Sequence, residues 1–132
     1  MVGNIATFGN TVTINADSIF INRAAANARI GFCFDTAVDV TDFTELSILA
    51  DAVCTSVVGV LLALLPSPSI TGSITKYVAW DTSVMGSFNK TNEVLSLDVS
   101  DINGTYYIGV FTGSASSLTG TTNCTVHEMW LE

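Results

Sequence analysis

The sequence predicts an all-β fold, an antiparallel β-sandwich with jelly-roll topology and about eight or nine strands. Short runs of Val, Ile, Thr, Phe and Tyr recur at spacings of roughly 8 to 14 residues, and Gly, Pro, Asn or Asp separate them. No stretch combines the length and the apolar periodicity of a long helix. A closed barrel is the main alternative, since it produces the same spacing. The 132 residues contain no linker, internal repeat or change of composition, so we predict one β-sandwich domain over residues 1–132.

The first half of the chain shows the alternation of polar and apolar residues that is typical of strands with one buried face. We predict strands at residues 11–15, 18–22, 28–34 and 45–53. An Asx turn at Asp17 separates the first two, and the Ala-rich segment 23–29 is too short for a stable helix, so it is expected to be a loop or one helical turn. By the period of two, the inner-face residues of the last two strands are Ile30, Phe32, Phe34, Leu46, Ile48, Ala50 and Ala52.

The middle of the chain holds its most apolar run. Residues 57–65 are apolar on both faces, which predicts a strand covered on both sides, by the opposing sheet and by a neighbouring loop or subunit. Nine residues are too few to span a bilayer, which takes about 20. The prolines of segment 66–69 end this strand, and we expect a further strand at 70–80 and a loop at 81–92.

Two strands are predicted within residues 95–112, linked by a tight turn at Asn103 and Gly104, where the positive φ that such a turn needs costs little. The last strand is predicted at 122–131. In it, Val126 has the opposite parity to Met129, so we expect either a β-bulge or burial on both faces.

The charge balance excludes several classes of partner. Four Lys and Arg against twelve Asp and Glu give a formal charge of −8 and a pI near 4.1. Such a surface repels phosphate backbones and anionic lipid, so neither nucleic-acid binding nor membrane binding is expected. Only 12% of the residues are charged, so the surface must consist mainly of Thr, Ser and Asn, a composition common in proteins that pack into assemblies or act outside cells. The N-terminus has no recognisable leader, and an extracellular protein would have to leave the cell by another route.

Cys33, Cys54 and Cys124 lie in apolar β-type runs without metal-ligand spacing. We predict buried thiols, as expected for a chain made in a reducing cytoplasm; one disulfide with one remaining thiol is the alternative.

No catalytic constellation is found. His127 is the only histidine, it lies in a predicted strand, and no nucleophile motif accompanies it. Glu45, Glu93 and Glu128 would be the candidates for a glycosidase pair, but strand rims and solvent faces are the expected places for them. The chain is therefore predicted not to be an enzyme.

Calcium is the one cofactor that the sequence suggests. Asp35, Asp39 and Asp42 flank one predicted turn, and oxygen-rich loops of β-sandwiches can hold this ion. They follow no ordered ligand motif, and no other cofactor is expected.

Tyr77, Trp80 and Asp81 are the candidate sugar-binding residues. An aromatic ring can stack on the apolar face of a pyranose while a carboxylate accepts hydrogen bonds from its hydroxyls. Trp80 shares parity with Ile74 and Val78, so a place in the core or in an interface is the alternative for it.

Three segments carry a resemblance to a known class of domain: the run from Glu93 to Phe111, the strand from Cys124 to Glu132, and residues 40–48. They resemble the jelly-roll sandwiches of bacteriophage virion proteins, found in tail fibres, baseplate appendages and head fibres, which are similar to carbohydrate-binding modules and galactose-binding-like domains. The resemblance fixes no binding residue.

This resemblance implies a non-catalytic virion structural or surface protein, such as a capsid decoration, a head fibre or a tail appendage subunit. Such a protein is made in the host cytoplasm and acts outside the cell on the virion. Its expected partners are other virion proteins and copies of itself, and adhesion to a host-surface glycan is a further role. The alternative is a free-standing carbohydrate-binding module of a bacterial extracellular system. Since no enzyme domain accompanies the sandwich, we expect the structural role first.

Overall fold

Two antiparallel β-sheets pack on a shared core in the computed structural model, which describes residues 5–8, 12–24, 29–54, 59–81, 87–113 and 121–132. The strands are β1 (Ile5–Phe8), β2 (Val12–Ile14), β3 (Ile19–Ala24), β4 (Gly31–Phe34), β5 (Val38–Asp39), β6 (Glu45–Cys54), β7 (Gly59–Leu65), β8 (Lys76–Asp81), β9 (Phe88–Asp98), β10 (Thr105–Thr112) and β11 (Thr121–Leu131). Within these ranges no residue is helical, and a helix able to cross a membrane is therefore not found there.

The strand order is that of a jelly roll. The first sheet has the order β1-β4-β10-β7-β8, with β5 also paired to β10, and the second has the order β2-β3-β11-β6-β9. Eight of these strands form the two facing four-stranded sheets of a jelly roll, β4-β10-β7-β8 and β3-β11-β6-β9. The predicted antiparallel sandwich is confirmed and the closed barrel is wrong. Three short strands, β1, β2 and β5, raise the count above the predicted eight or nine.

Strand alternation builds the core as predicted. The seven residues predicted to line the inner faces of β4 and β6, among them Ile30 just before β4, are all buried in the shared core. The inner-face residues of β6 face Val60, Leu62 and Leu64 of β7 and Val110 of β10 in the first sheet, so side chains of both sheets meet in the middle.

A second apolar cluster lies on the outer face of the first sheet. It consists of Cys33, Ala63, Leu65, Ile70 and Phe111, all fully buried, and is called the outer cluster below. Ile70 belongs to the β7–β8 connection, residues 66–75, which folds back over the sheet and is called the flap. The strand covered on both sides is therefore confirmed for the described residues 59–65, and the chain's own flap supplies the cover.

Arg29 holds the flap in place. Its guanidinium donates hydrogen bonds to the carbonyl oxygens of Ile70 (2.8 Å) and Gly72 (3.0 Å) and lies 5.5 Å from the ring centre of Phe111. Two backbone carbonyls and one aromatic face thus bind one cation, which ties the flap to the sheet beneath it.

All three cysteines are buried and not joined in a disulfide, as predicted. Cys33 belongs to the outer cluster and Cys124 to the shared core, where burial, followed by the charge of Asp51, raises the pKa of the Cys124 thiol to about 12. The Cys54 sulfur lies 3.2 Å from the Thr122 hydroxyl.

Three boundaries differ from the prediction. The strand expected at 70–80 begins only at Lys76, because Ile74 packs against the outer cluster as part of the flap. The loop expected at 81–92 includes the first residues of β9, which begins at Phe88. Arg23 and Ala24 end β3, and residues 25–28 of the predicted loop lie outside the described part of the chain.

The predicted strand pair of residues 95–112 is wrong, because β9 pairs with β6 in the second sheet and β10 with β4, β5 and β7 in the first. Gly104 has the expected positive φ of 110°, yet it lies in an arch between the sheets. The Gly104 N–H donates to the Thr41 hydroxyl (2.9 Å) and its carbonyl accepts from the Val40 N–H (3.0 Å). Alternation sets the faces of both strands but does not specify the sheet that each one joins.

Candidate functional site

The predicted sugar-binding residues do not share a face. Trp80 is 7% exposed and packs in the shared core, with its ring centre 6.4 Å from that of Phe88 and the ammonium of Lys90 5.9 Å from its ring. Tyr77 is 57% exposed, because a separation of three residues places it on the opposite face of β8. The structure therefore agrees with the core alternative for Trp80. Glycan contact at Tyr77 and Asp81 stays a prediction.

The predicted calcium residues Asp35, Asp39 and Asp42 are all exposed. Asp39 accepts hydrogen bonds from the hydroxyl (2.6 Å) and the backbone N–H (3.0 Å) of Thr41, and these bonds lower the pKa of the Asp39 carboxyl. Asp35 and Asp42 lie nearby in sequence, but across the described ranges no three carboxylate, His or Cys side chains are grouped to hold a metal ion. Calcium binding stays a prediction without an assembled ligand set.

The structure brings together Asp51, His127 and Asn92, which the sequence did not connect. Asp51 lies on the outer face of β6. One of its carboxylate oxygens is 2.9 Å from His127 Nε2 on β11, and the other accepts the backbone N–H of Asn92 on β9 at 2.7 Å. The bond from Asn92, and then the one from His127, lowers the pKa of the Asp51 carboxyl.

Both partners of Asp51 lie at β-bulges. The register of β11 against β6 shifts between Val126 and Glu128, so His127 is the extra residue, and of the two alternatives that parity left open the bulge is the one observed. The register of β9 also shifts, and there Asn92 has a positive φ of 49°. One carboxylate thus contacts the β9 bulge through a backbone N–H and the β11 bulge through an imidazole, which gives His127 a structural role.

A pocket of about 220 Å³ opens beside the β11 bulge, facing the turn between β2 and β3, and is called the bulge pocket. Its floor is apolar and comes from both sheets: Ile19, Phe32, Val126 and Met129. Its polar rim consists of Asn15, Asp17, Ser18, His127 and Glu128, with Ala16 between them.

A turn on one side and a β-bulge on the other form this pocket. The Asn15 N–H donates to the Ser18 carbonyl at 2.9 Å and closes the β2–β3 turn, which displays Asp17 at its tip. On the other side, the extra residue of the bulge separates Val126 from Glu128 along β11. Neither the Asp17 nor the Glu128 carboxylate has a hydrogen bond or ion pair with any described residue. A turn is present where an Asx turn was predicted at Asp17, but Asn15 and Ser18 close it and the Asp17 carboxylate accepts no hydrogen bond from a described residue. This turn signal and the parity break were the two sequence signals, but nothing indicated that the two features meet.

No described segment forms a hydrophobic cluster on the outer face of the second sheet. By alternation it presents Phe20, Leu49, Val53, Val94 and Trp130 among Thr, Asn and Ser side chains and the carboxylates of Glu45, Asp51, Asp98 and Glu128, and it is called the open face. Val53 is 40% and Val94 51% exposed, and none of the five belongs to the apolar cores of the described residues. The flap covers much of the corresponding face of the first sheet, so the two faces of the sandwich differ.

Comparisons with known proteins give fold-level likeness only. No protein-family model and no curated protein matches the sequence. A crystal structure of accessory secretory proteins 1, 2 and 3 of Streptococcus pneumoniae is 8% identical, with a TM-score of 0.46 over 97% of this chain and 95% of that chain. A structure described as CBM4 is 14% identical, with a TM-score of 0.49 over 96% and 91%. One from infectious bursal disease virus, Gx strain, is 14% identical, with a TM-score of 0.33 over 94% and 33%. Such values assign the chain to no family.

Proposed function

We propose that this protein is a non-catalytic structural subunit of a bacteriophage virion surface, of the capsid decoration, head fibre or tail appendage type. It is made in the host cytoplasm and acts on the assembled particle. The observation that carries the proposal is the open face, where the exposed apolar side chains of Val53 and Val94 lie among hydroxyl, amide and carboxylate groups. Exposed apolar side chains surrounded by polar groups are typical of a contact surface between subunits.

The arrangement of the titratable groups also supports a non-catalytic role. His127 and Asp51 form one pair that holds two bulges, and hydrogen bonds within turns occupy Asp39 and Asp98. The thiols are buried, and the pKa of both Cys33 and Cys124 is raised chiefly by that burial, which opposes thiolate formation.

Sedimentation of the purified full-length chain tests the assembly role. We expect concentration-dependent self-association that Val94→Asp weakens about tenfold, because a charge would have to be buried where an apolar contact was. Tyr77→Asp is the matched control, since Tyr77 is similarly exposed but lies on β8 of the other sheet. A chain that stays monomeric up to about 1 mM contradicts self-assembly, and equal effects of both variants contradict the assignment to the open face.

The second candidate is a carbohydrate-binding module, and the exposed ring of Tyr77 next to the flap favours it. Titration with host cell-wall polysaccharides tests this alternative. A glycan contact at this position predicts that Tyr77→Ala abolishes binding while the protein stays folded, because the ring would supply the stacking surface. Binding that is undiminished in Tyr77→Ala, or absent from the wild-type protein, removes this candidate.

A further inference from the structure

Every Lys and Arg side chain of the protein is either buried or bonded within the chain. It has four, all within the described ranges. Arg23, the second-last residue of β3, is fully buried, and Arg29 binds the flap. Lys76 forms an ion pair with Asp101 (2.7 Å), and Lys90 forms one with Glu93 (3.1 Å) while lying over Trp80. A second copy of the chain therefore offers no spare Lys or Arg to an acidic site.

The bulge pocket, in contrast, presents acidic side chains that have no partner among the described residues. Asp17 and Glu128 place two carboxylates on its rim, neither one bonded to a described residue, above a floor of aliphatic, aromatic and thioether groups. About 220 Å³ is smaller than a typical drug-sized site, but it accommodates one long side chain. A lysine side chain combines an apolar stem with a charged end, and thereby matches an apolar floor with an anionic rim.

We propose that the bulge pocket receives a lysine side chain from a different protein, and that this contact joins the chain to a basic partner in the assembly. The stem would lie against Val126 and Met129 and the ammonium between Asp17 and Glu128. The overall charge of −8 favours approach of such a partner and repels a second copy of the chain, whose Lys and Arg side chains are already buried or paired. The inference rests on the proposed assembly role, because it names the chemistry of the partner.

Nα-acetyl-lysine N-methylamide serves as the probe, titrated into the ¹⁵N-labelled full-length protein and followed by NMR. We expect saturable shifts of the amides of residues 15–19 and 126–129. Nα-acetyl-norleucine N-methylamide has a similar stem without the charge and should bind more weakly. Asp17→Asn and Glu128→Gln should each weaken binding of the lysine probe about two- to fivefold, as expected for exposed charge pairs, and added salt should weaken it further.

Asp42→Asn is the matched control, because it removes one exposed carboxylate outside the pocket and reduces the net negative charge by the same amount. It should leave the affinity for the lysine probe unchanged. Three results would overturn the inference: no saturable shift at the pocket, equal affinity for the norleucine probe, or shifts caused by N-acetylglucosamine and not by the lysine probe. No assembly is needed for this measurement, so failure here leaves the sedimentation result intact, and failure of self-association leaves the pocket testable.

Discussion

Removal of Ile70 from the outer cluster tests whether the flap is a stable cover. Ile70 is fully buried there, and Ile70→Ala removes three carbon atoms. At about 0.8 kcal/mol each, and with a further loss for the cavity, the change should cost about 3 kcal/mol. Because the lost contacts are those between flap and sheet, most of this cost should appear as opening of the flap.

Labelling of Cys33 by a thiol reagent measures that opening. Cys33 lies in the outer cluster, and burial raises the pKa of its thiol, so it should react slowly in the folded protein. About 3 kcal/mol corresponds to a roughly hundredfold larger open population and a similar gain in labelling rate. A Cys33→Ala variant in the Ile70→Ala background identifies the reacting thiol, and Ile74→Ala, at a half-buried flap position, should have a smaller effect. An unchanged Cys33 rate in a folded Ile70→Ala protein would refute the reasoning.

Three further predictions concern stability, measured by urea unfolding. Gly31→Ala should cost at least about 3 kcal/mol, because its Cβ would overlap the Val110 carbonyl oxygen, whereas Gly72→Ala, with nothing within 4 Å of the added Cβ, should change stability by less than about 0.5 kcal/mol. Asp51→Asn should cost about 0.5 to 1 kcal/mol near neutral pH, because its carboxylate is 40% exposed. The folded protein lowers the pKa of Asp51 from 3.8, so the carboxylate stabilises the fold above that pH, and this stabilisation is lost as the pH falls through the lower folded pKa. The loss of stability caused by Asp51→Asn should therefore vanish in strong acid. A loss of stability that persists there would contradict the bonds to Asn92 and His127. Trp80→Ala should cost about 3 to 5 kcal/mol and Tyr77→Ala under about 1 kcal/mol, and a reversed order would be inconsistent with their places in β8.

Local alternation was sufficient to predict the faces of single strands. It placed Phe32 and Ile48 in the core, and the parity conflict between Val126 and Met129 located the bulge, because a side chain's face depends only on its immediate neighbours. The same pattern could not say that β9 and β10 join different sheets. Strand pairing depends on segments far away along the chain, and the Asn103-Gly104 signal fits an arch as well as a hairpin.

The candidate site was largely beyond sequence-based prediction for the same reason. Asp51 lies 76 residues from His127 and 41 from Asn92, and no motif links them. The bulge pocket needs a turn and a bulge that are more than 100 residues apart in the sequence. Trp80 shows that a local pattern can also suggest a site that the fold does not form. An aromatic residue next to a carboxylate looks the same in the sequence whether its ring is buried or exposed.

The central place of β11 has a consequence for biosynthesis. This strand pairs with β3 on one side and β6 on the other, so the middle of the second sheet closes only after the ribosome has added residues 121–131. Until then β3 and β6 expose unpaired backbone and apolar side chains, a state open to misassembly or chaperone capture. The second sheet therefore cannot be completed before β11 has been synthesised.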